Sequence, residues 1–154
     1  MNLKRPFILS LALTSSSLMA SAEDKPISSG EPSKASAICM PLADFQKYSI
    51  DEAGFVANNF SIREVRDNLS AMTRLETTFS VANRSAEAVR LSGDFVFLDG
   101  ENRILAARNA EPYEPWIASA MTTTGRGKTF VSSGTVATMK TVCLRLFGTF
   151  PEAK

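Results

Sequence analysis

The segment Arg74–Val81, RLETTFSV, constrains the fold more than any other stretch. Leu75, Thr77, Phe79 and Val81 alternate with Arg74, Glu76, Thr78 and Ser80. That period of two belongs to a strand with one buried face, because successive side chains of a strand point to opposite sides. Asn83-Arg84-Ser85 follows with turn chemistry: Asn tolerates a left-handed backbone, and both Asn and Ser bond locally. The alternation then resumes, with Val89, Leu91, Phe95 and Phe97 on the inner face and Gly93 at a close position between them. Asp99-Gly100 marks a second tight turn. Arg103 to Ala107 reads as a short third strand.

Leu42, Phe45 and Tyr48 fit one face of a short helix or, equally, an irregular edge strand. Phe60–Arg66 reads as a strand whose alternation slips between Ile62 and Val65, which a bulge explains. Asn68-Leu69-Ser70 is a turn. Downstream, Ala110–Trp116 (AEPYEPW) carries two prolines, which argue against a central strand. Ile117–Met121 reads as an edge segment and Thr122–Lys128 as a polar loop with two glycines. The last strand is expected over Val136–Phe147, after a Ser133-Gly134 turn, with Val142, Leu144 and Leu146 inward. Six or seven short strands, with turns about every 8–12 residues, predict an all-β, antiparallel, immunoglobulin-like β-sandwich over residues 38–150.

Residues Met1–Ala22 read as a secretory signal peptide. Lys4 and Arg5 form its basic start, Phe7–Leu13 its apolar centre, and Ala20-Ser21-Ala22 its cleavage motif. Pro6 and the Ser-rich run Thr14–Ser17 keep the apolar stretch well short of the roughly 20 residues a membrane helix needs. Cleavage after Ala22 and the lack of a second long apolar run predict a soluble exported protein without a transmembrane anchor. Residues 23–37, EDKPISSGEPSKASA, hold almost no apolar side chains and read as a flexible linker. Export brings the chain into an oxidising compartment, so its two cysteines, Cys39 and Cys143, are expected to form a structural disulfide. Neither a C-x-x-C motif nor a nearby base supports a reactive thiol.

The pair Phe79-Ser-Val-Ala-Asn83-Arg-Ser85 and Phe95-Val-Phe97-Leu98-Asp99-Gly100 resembles the bacterial FxLyD-type domain. The similarity extends over roughly Val65–Leu146 and includes the Gly134-led final strand; Leu98 stands where the family prefers Tyr. The resemblance implies an exported, non-enzymatic accessory or binding module, and it brings over no catalytic residues.

Composition narrows the chemistry further. The chain contains no histidine, which removes Ser–His–Asp, Cys–His and His-based zinc sites. A formal charge of +1, falling to −1 once Lys4 and Arg5 leave with the signal peptide, argues against an extended nucleic-acid surface. Thr124–Thr129 (TGRGKT) resembles part of a P-loop, but Thr122 occupies the place of the required first glycine, so no nucleotide site is expected. No cofactor or metal is expected: Asp94, Asp99 and Glu101 offer carboxylates for a calcium site, but an Asp-Gly turn needs no metal. Asn59, Asn68 and Asn83 each begin an N-x-[ST] triplet and read as turn residues of a bacterial protein.

Two candidate surfaces remain. Glu111, Tyr113, Glu114 and Trp116 form a carboxylate–aromatic loop. The plainest reading is a loop whose Tyr113 and Trp116 pack down over the domain end; the alternatives are an interaction surface and, more distantly, a glycosidase-like carboxylate pair. Val96 and Leu98, opposite in phase to Phe95 and Phe97, form an apolar outer-face patch. That patch either meets a partner or is covered by the segment Ile38–Phe55. The expected function is non-catalytic protein binding in the bacterial envelope or outside the cell. The alternative is an inhibitor or immunity protein that inserts the carboxylate–aromatic loop into an envelope hydrolase.

Overall fold

The structure is a computed structural model and describes residues 37–52, 54–67 and 72–151. The signal peptide, residues 23–36 of the linker and the Asn68-Leu69-Ser70 turn lie outside the described residues. The described chain is mostly β, and its strands pair antiparallel. Its elements are β1 (Ile38–Pro41), α1 (Leu42–Phe45), β2 (Ile50–Glu52), β3 (Phe55–Arg66), β4 (Thr73–Asn83), β5 (Arg90–Leu98), β6 (Ile104–Pro112), β7 (Thr122–Val131), α2 (Thr135–Thr138) and β8 (Thr141–Thr149).

The eight strands form one curled sheet in the order β1-β8-β5-β6-β7-β4-β3-β2. Strand β6 joins its halves: residues 104–110 pair with β5, then Glu111 and Pro112 pair with Arg126 and Gly125 of β7. Curling brings together residues far apart along the ladder. The rings of Phe79 on β4 and Phe95 on β5 lie 5.9 Å apart, although two strands separate them. Phe60 stacks on Phe79 at 5.8 Å, and Phe45 meets Phe60 at 5.2 Å. These rings, with Leu75, Val81, Leu91, Val142, Leu144 and Leu146, form a single buried core. Each such side chain contributes about 1.5–3 kcal/mol of hydrophobic stabilisation.

The inner faces expected for Leu75–Val81, Val89–Phe97 and Val142–Leu146 are all buried. Several other expectations are corrected. The described residues make eight strands rather than six or seven. Strand β6 runs to Pro112 and is central, because that proline sits at its last position, past the stretch where β5 needs its N–H groups. The polar loop expected over Thr122–Lys128 is a central strand. Its glycines give way to neighbours: a Cβ on Gly125 would lie 2.3 Å from the Phe79 ring, and one on Gly127 would lie 2.6 Å from the Asn109 carbonyl oxygen. Val136 belongs to α2, and the last strand begins at Thr141.

The bulge in β3 falls between Asn58 and Ser61, earlier than the slip in alternation suggests. Asn59 takes a left-handed backbone there (φ 53°), and Phe60 turns into the core. The slip at Ile62–Val65 has another cause. Glu64 occupies an inward position opposite Leu75, and its carboxylate accepts from the backbone N–H groups of Gly134 (3.0 Å) and Val136 (2.6 Å) at the start of α2.

Strand β1 sits at the sheet edge with Cys39 directly opposite Cys143, and the two form a disulfide. The segment after it does not cross the outer face as one reading supposed. Instead, α1 drives Phe45, fully buried, into the inner core against Phe60 and Phe95. Val96 and Leu98 stay half-buried on the outer face. Val96 is flanked in register by Cys143 and Ala107, Leu98 by Thr141 and Ile104.

Candidate functional site

The loop between β6 and β7 is held at both ends. At its start, Pro112 is buried and pairs with Gly125. Four residues past Tyr113, Ile117 is 4% exposed and exchanges backbone hydrogen bonds with Val89 at 2.8 and 3.0 Å. A second clamp comes from Asn83, itself 1% exposed, whose Nδ2 donates to the carbonyl oxygens of Ile117 and Glu87, both at 2.8 Å. Its Oδ1 accepts from the backbone N–H (2.9 Å) and hydroxyl (2.7 Å) of Ser85. Finally, Ser119 Oγ donates to the Ser85 carbonyl at 2.7 Å, and the Asn83 N–H donates to the Met121 carbonyl at 2.9 Å. Sequence reasoning assigned Asn83 and Ser85 to a turn and missed this clamp. Its partners lie 34 residues downstream, and no local signal points to them.

Between these anchors the side chains face outward. Tyr113 is fully exposed, Trp116 is 42% exposed and Met121 57%. The reading in which the aromatics fold down over the domain end is therefore corrected for Tyr113. Ile117, expected in an edge segment, descends into the core and bridges to Val89.

Tyr113 stands as a ridge between two concavities. One, of 390 Å³, is lined by Arg108, Glu111, Tyr113, Thr124, Arg126 and Lys128. The other, of 360 Å³, includes Tyr113, Glu114, Trp116, Ile117 and Met121 in its walls. Glu111 and Glu114 thus face different concavities, separated by the tyrosine. They do not form the converging pair of carboxylates that glycoside hydrolysis uses. Glu111 also lies 3.9 Å from the Arg90 guanidinium.

One cation of the first concavity, Lys128, is held from the neighbouring strand β4. Glu76, 4% exposed, lies in register between Arg63 and Lys128 and pairs with both, at 2.8 and 3.2 Å. Burial pushes the Glu76 carboxyl up, but hydrogen bonds and charge from Arg63 and Lys128 outweigh it and hold the group below its ordinary value. At the opposite end of the molecule, Asp99 organises the β5–β6 turn. Its Oδ1 accepts from the N–H groups of Glu101 and Arg103, both at 2.9 Å, and its Oδ2 from Arg103 Nε at 2.6 Å. The Arg103 N–H does most to lower the Asp99 carboxyl; partial burial opposes it, and the Arg103 guanidinium and the Glu101 N–H add to the lowering.

Asp94 is held by Arg145 at 2.8 Å and Glu101 by Arg103 at 2.8 Å, so these carboxylates serve the sheet surface and the turn. Among the described residues no group of three or more Cys, Asp or Glu side chains is placed to hold a metal ion. The TGRGKT segment is extended strand with its glycines turned inward under Phe79 and Ala110, so no phosphate-cradling loop is formed.

The fold and loop together define an antiparallel β domain that presents a pinned aromatic loop. Comparison with protein-family models, curated proteins and solved structures gives no match.

Proposed function

We propose that this protein is an exported, non-catalytic binding module that contacts a protein partner in the bacterial envelope or outside the cell through the Tyr113–Met121 loop. The observation that carries this reading is Tyr113: fully exposed, it stands on a loop whose ends are fixed by buried Pro112 and Ile117. An exposed tyrosine on a fixed loop costs little ordering entropy when a partner covers it, and Tyr and Trp dominate binding hot spots. The Cys39–Cys143 disulfide fits residence in an oxidising compartment, and no described helix is long and apolar enough to cross a membrane. The resemblance to FxLyD-type domains supports the same role.

A second reading draws on the same projection. An inhibitor or immunity protein of an envelope hydrolase inserts a rigid loop into its target's cleft, and Tyr113 between Glu111 and Glu114 has that form. Tight one-to-one binding to a lysozyme, amidase or protease, with loss of that enzyme's activity, distinguishes it.

The test is capture from native envelope extract with the wild-type protein and a Tyr113→Ala/Trp116→Ala variant. A specific partner should be retained by the wild type, and Tyr113→Ala alone should weaken it about 30-fold or more. Because Tyr113 makes no buried contact, Tyr113→Ala should leave the urea midpoint nearly unchanged, within about 0.5 kcal/mol. Equal capture by wild type and variant removes the loop from the binding surface.

A further inference from the structure

The concavity on the β7 side of Tyr113 is more basic than the chain as a whole. Three of its six lining residues are cationic, against one carboxylate, in a chain whose formal charge is only +1. Lys128 is engaged by the buried Glu76 opposite it on β4. The guanidinium groups of Arg108 and Arg126 have no ion-pair partner among the described residues, although eight other ion pairs form across the domain.

Their convergence depends on the fold. Arg126 lies on β7 opposite Glu111, whereas Arg108 reaches the concavity from β6, where that strand pairs with β5 and diverges from β7. Its stem passes over Gly127: a Cβ there would lie 3.0 Å from Arg108 Cγ. Two unpaired guanidiniums brought to one hollow beside an exposed aromatic ring form a receptor for carboxylate, which Arg binds through paired N–H donors.

We infer that this hollow accepts acidic side chains of an extended peptide segment in the partner, with Tyr113 between that acidic stretch and an apolar residue seated against Trp116 and Met121. The inference rests on the binding-module reading and specifies the chemistry of the partner. A peptide fits better than a polyanion because the positive charge is confined to one 390 Å³ hollow, whereas nucleic acids need a long basic track. It fits better than an isolated small anion because the neighbouring 360 Å³ hollow, where Trp116, Ile117 and Met121 stand beside Glu114, Thr122 and Thr123, offers an apolar contact on the other side of the ridge.

The test is an NMR titration of the full, disulfide-bonded chain with acetylated tetraglutamate, using acetylated tetraglutamine and inorganic phosphate as comparison probes. Tetraglutamate should saturably shift the Nε–H signals of Arg108 and Arg126 and the ring signals of Tyr113, and raised salt should weaken the effect. Tetraglutamine should leave these signals in place. Arg108→Gln/Arg126→Gln should lower the tetraglutamate affinity at least about ten-fold. Unmoved signals, or equal binding by that variant, overturn the inference; phosphate binding as tightly as tetraglutamate overturns the peptide assignment. The same variant in the envelope capture separates the two proposals. Partner loss with Tyr113→Ala but not with Arg108→Gln/Arg126→Gln overturns this inference and leaves the binding module standing. Retention by both variants overturns both.

Discussion

The Asn83 side chain satisfies the Ile117 carbonyl of the loop and the Glu87 carbonyl of the β4–β5 connection through one amide nitrogen, and its own oxygen accepts twice from Ser85. Removing it strips donors from a site that water does not reach. Asn83→Ala should cost about 1–3 kcal/mol in urea unfolding. Asn83→Asp should cost more, because it faces a carboxylate oxygen toward the carbonyls of Glu87 and Ile117. Glu76 and Asp99 set the acid limit of stability. Both carboxyls are lowered in the folded protein, so their contribution is fully present above the ordinary carboxylate range, about pH 4, and is lost as the pH falls through the folded values. The urea midpoint should therefore drop below about pH 4. Glu76→Gln should flatten that drop while lowering stability at pH 7 by about 1–3 kcal/mol. A wild-type acid limb in the Glu76→Gln protein contradicts this assignment.

Strand β7 shows how one element serves both core and surface. Its inward positions are Gly125 and Gly127, so Phe79 and the β6 backbone can approach, while Thr124, Arg126 and Lys128 face the basic hollow. Gly125→Ala places a methyl group against the Phe79 ring in a filled core. It should destabilise by about 1–3 kcal/mol, read as a shifted urea midpoint. The β5–β6 connection, residues 99–103, is closed by the Asp99 N–H donating to the Arg103 carbonyl. Its left-handed residue is Asn102 (φ 60°) rather than the Gly100 that the Asp-Gly pair suggests. The turn's position was legible in the sequence; its geometry was not, because Asn and Gly both accept that backbone.

Across the whole molecule, the Cys39–Cys143 link spans 104 residues and ties edge strand β1 to β8. In the chain-entropy treatment a loop of that size is worth about 4–5 kcal/mol. Cys39→Ser/Cys143→Ser should lower unfolding stability by up to that amount and raise the urea m-value, since the unlinked unfolded chain exposes more surface. An unchanged midpoint shows that β1 holds its place without the bond. Much of this architecture was written in residue order. Alternation around Phe79 and Phe95 determined the β class and the inner faces, because side-chain direction in a strand depends only on its period. Two cysteines among residues that read as exported determined the disulfide. The tertiary structure decided what alternation cannot encode. Thr122–Lys128 carries no apolar alternation and reads as a loop, yet it is a strand because Phe79 and β6 need the space over its glycines. The candidate loop's residues were visible in AEPYEPW, but the exposure of Tyr113 follows from anchors at Asn83, Val89 and Ile117. Arg108 and Arg126 lie 18 positions apart and share a hollow only because β6 crosses from one half of the curled sheet to the other. Such meetings depend on long-range packing, which short-range sequence pattern does not specify.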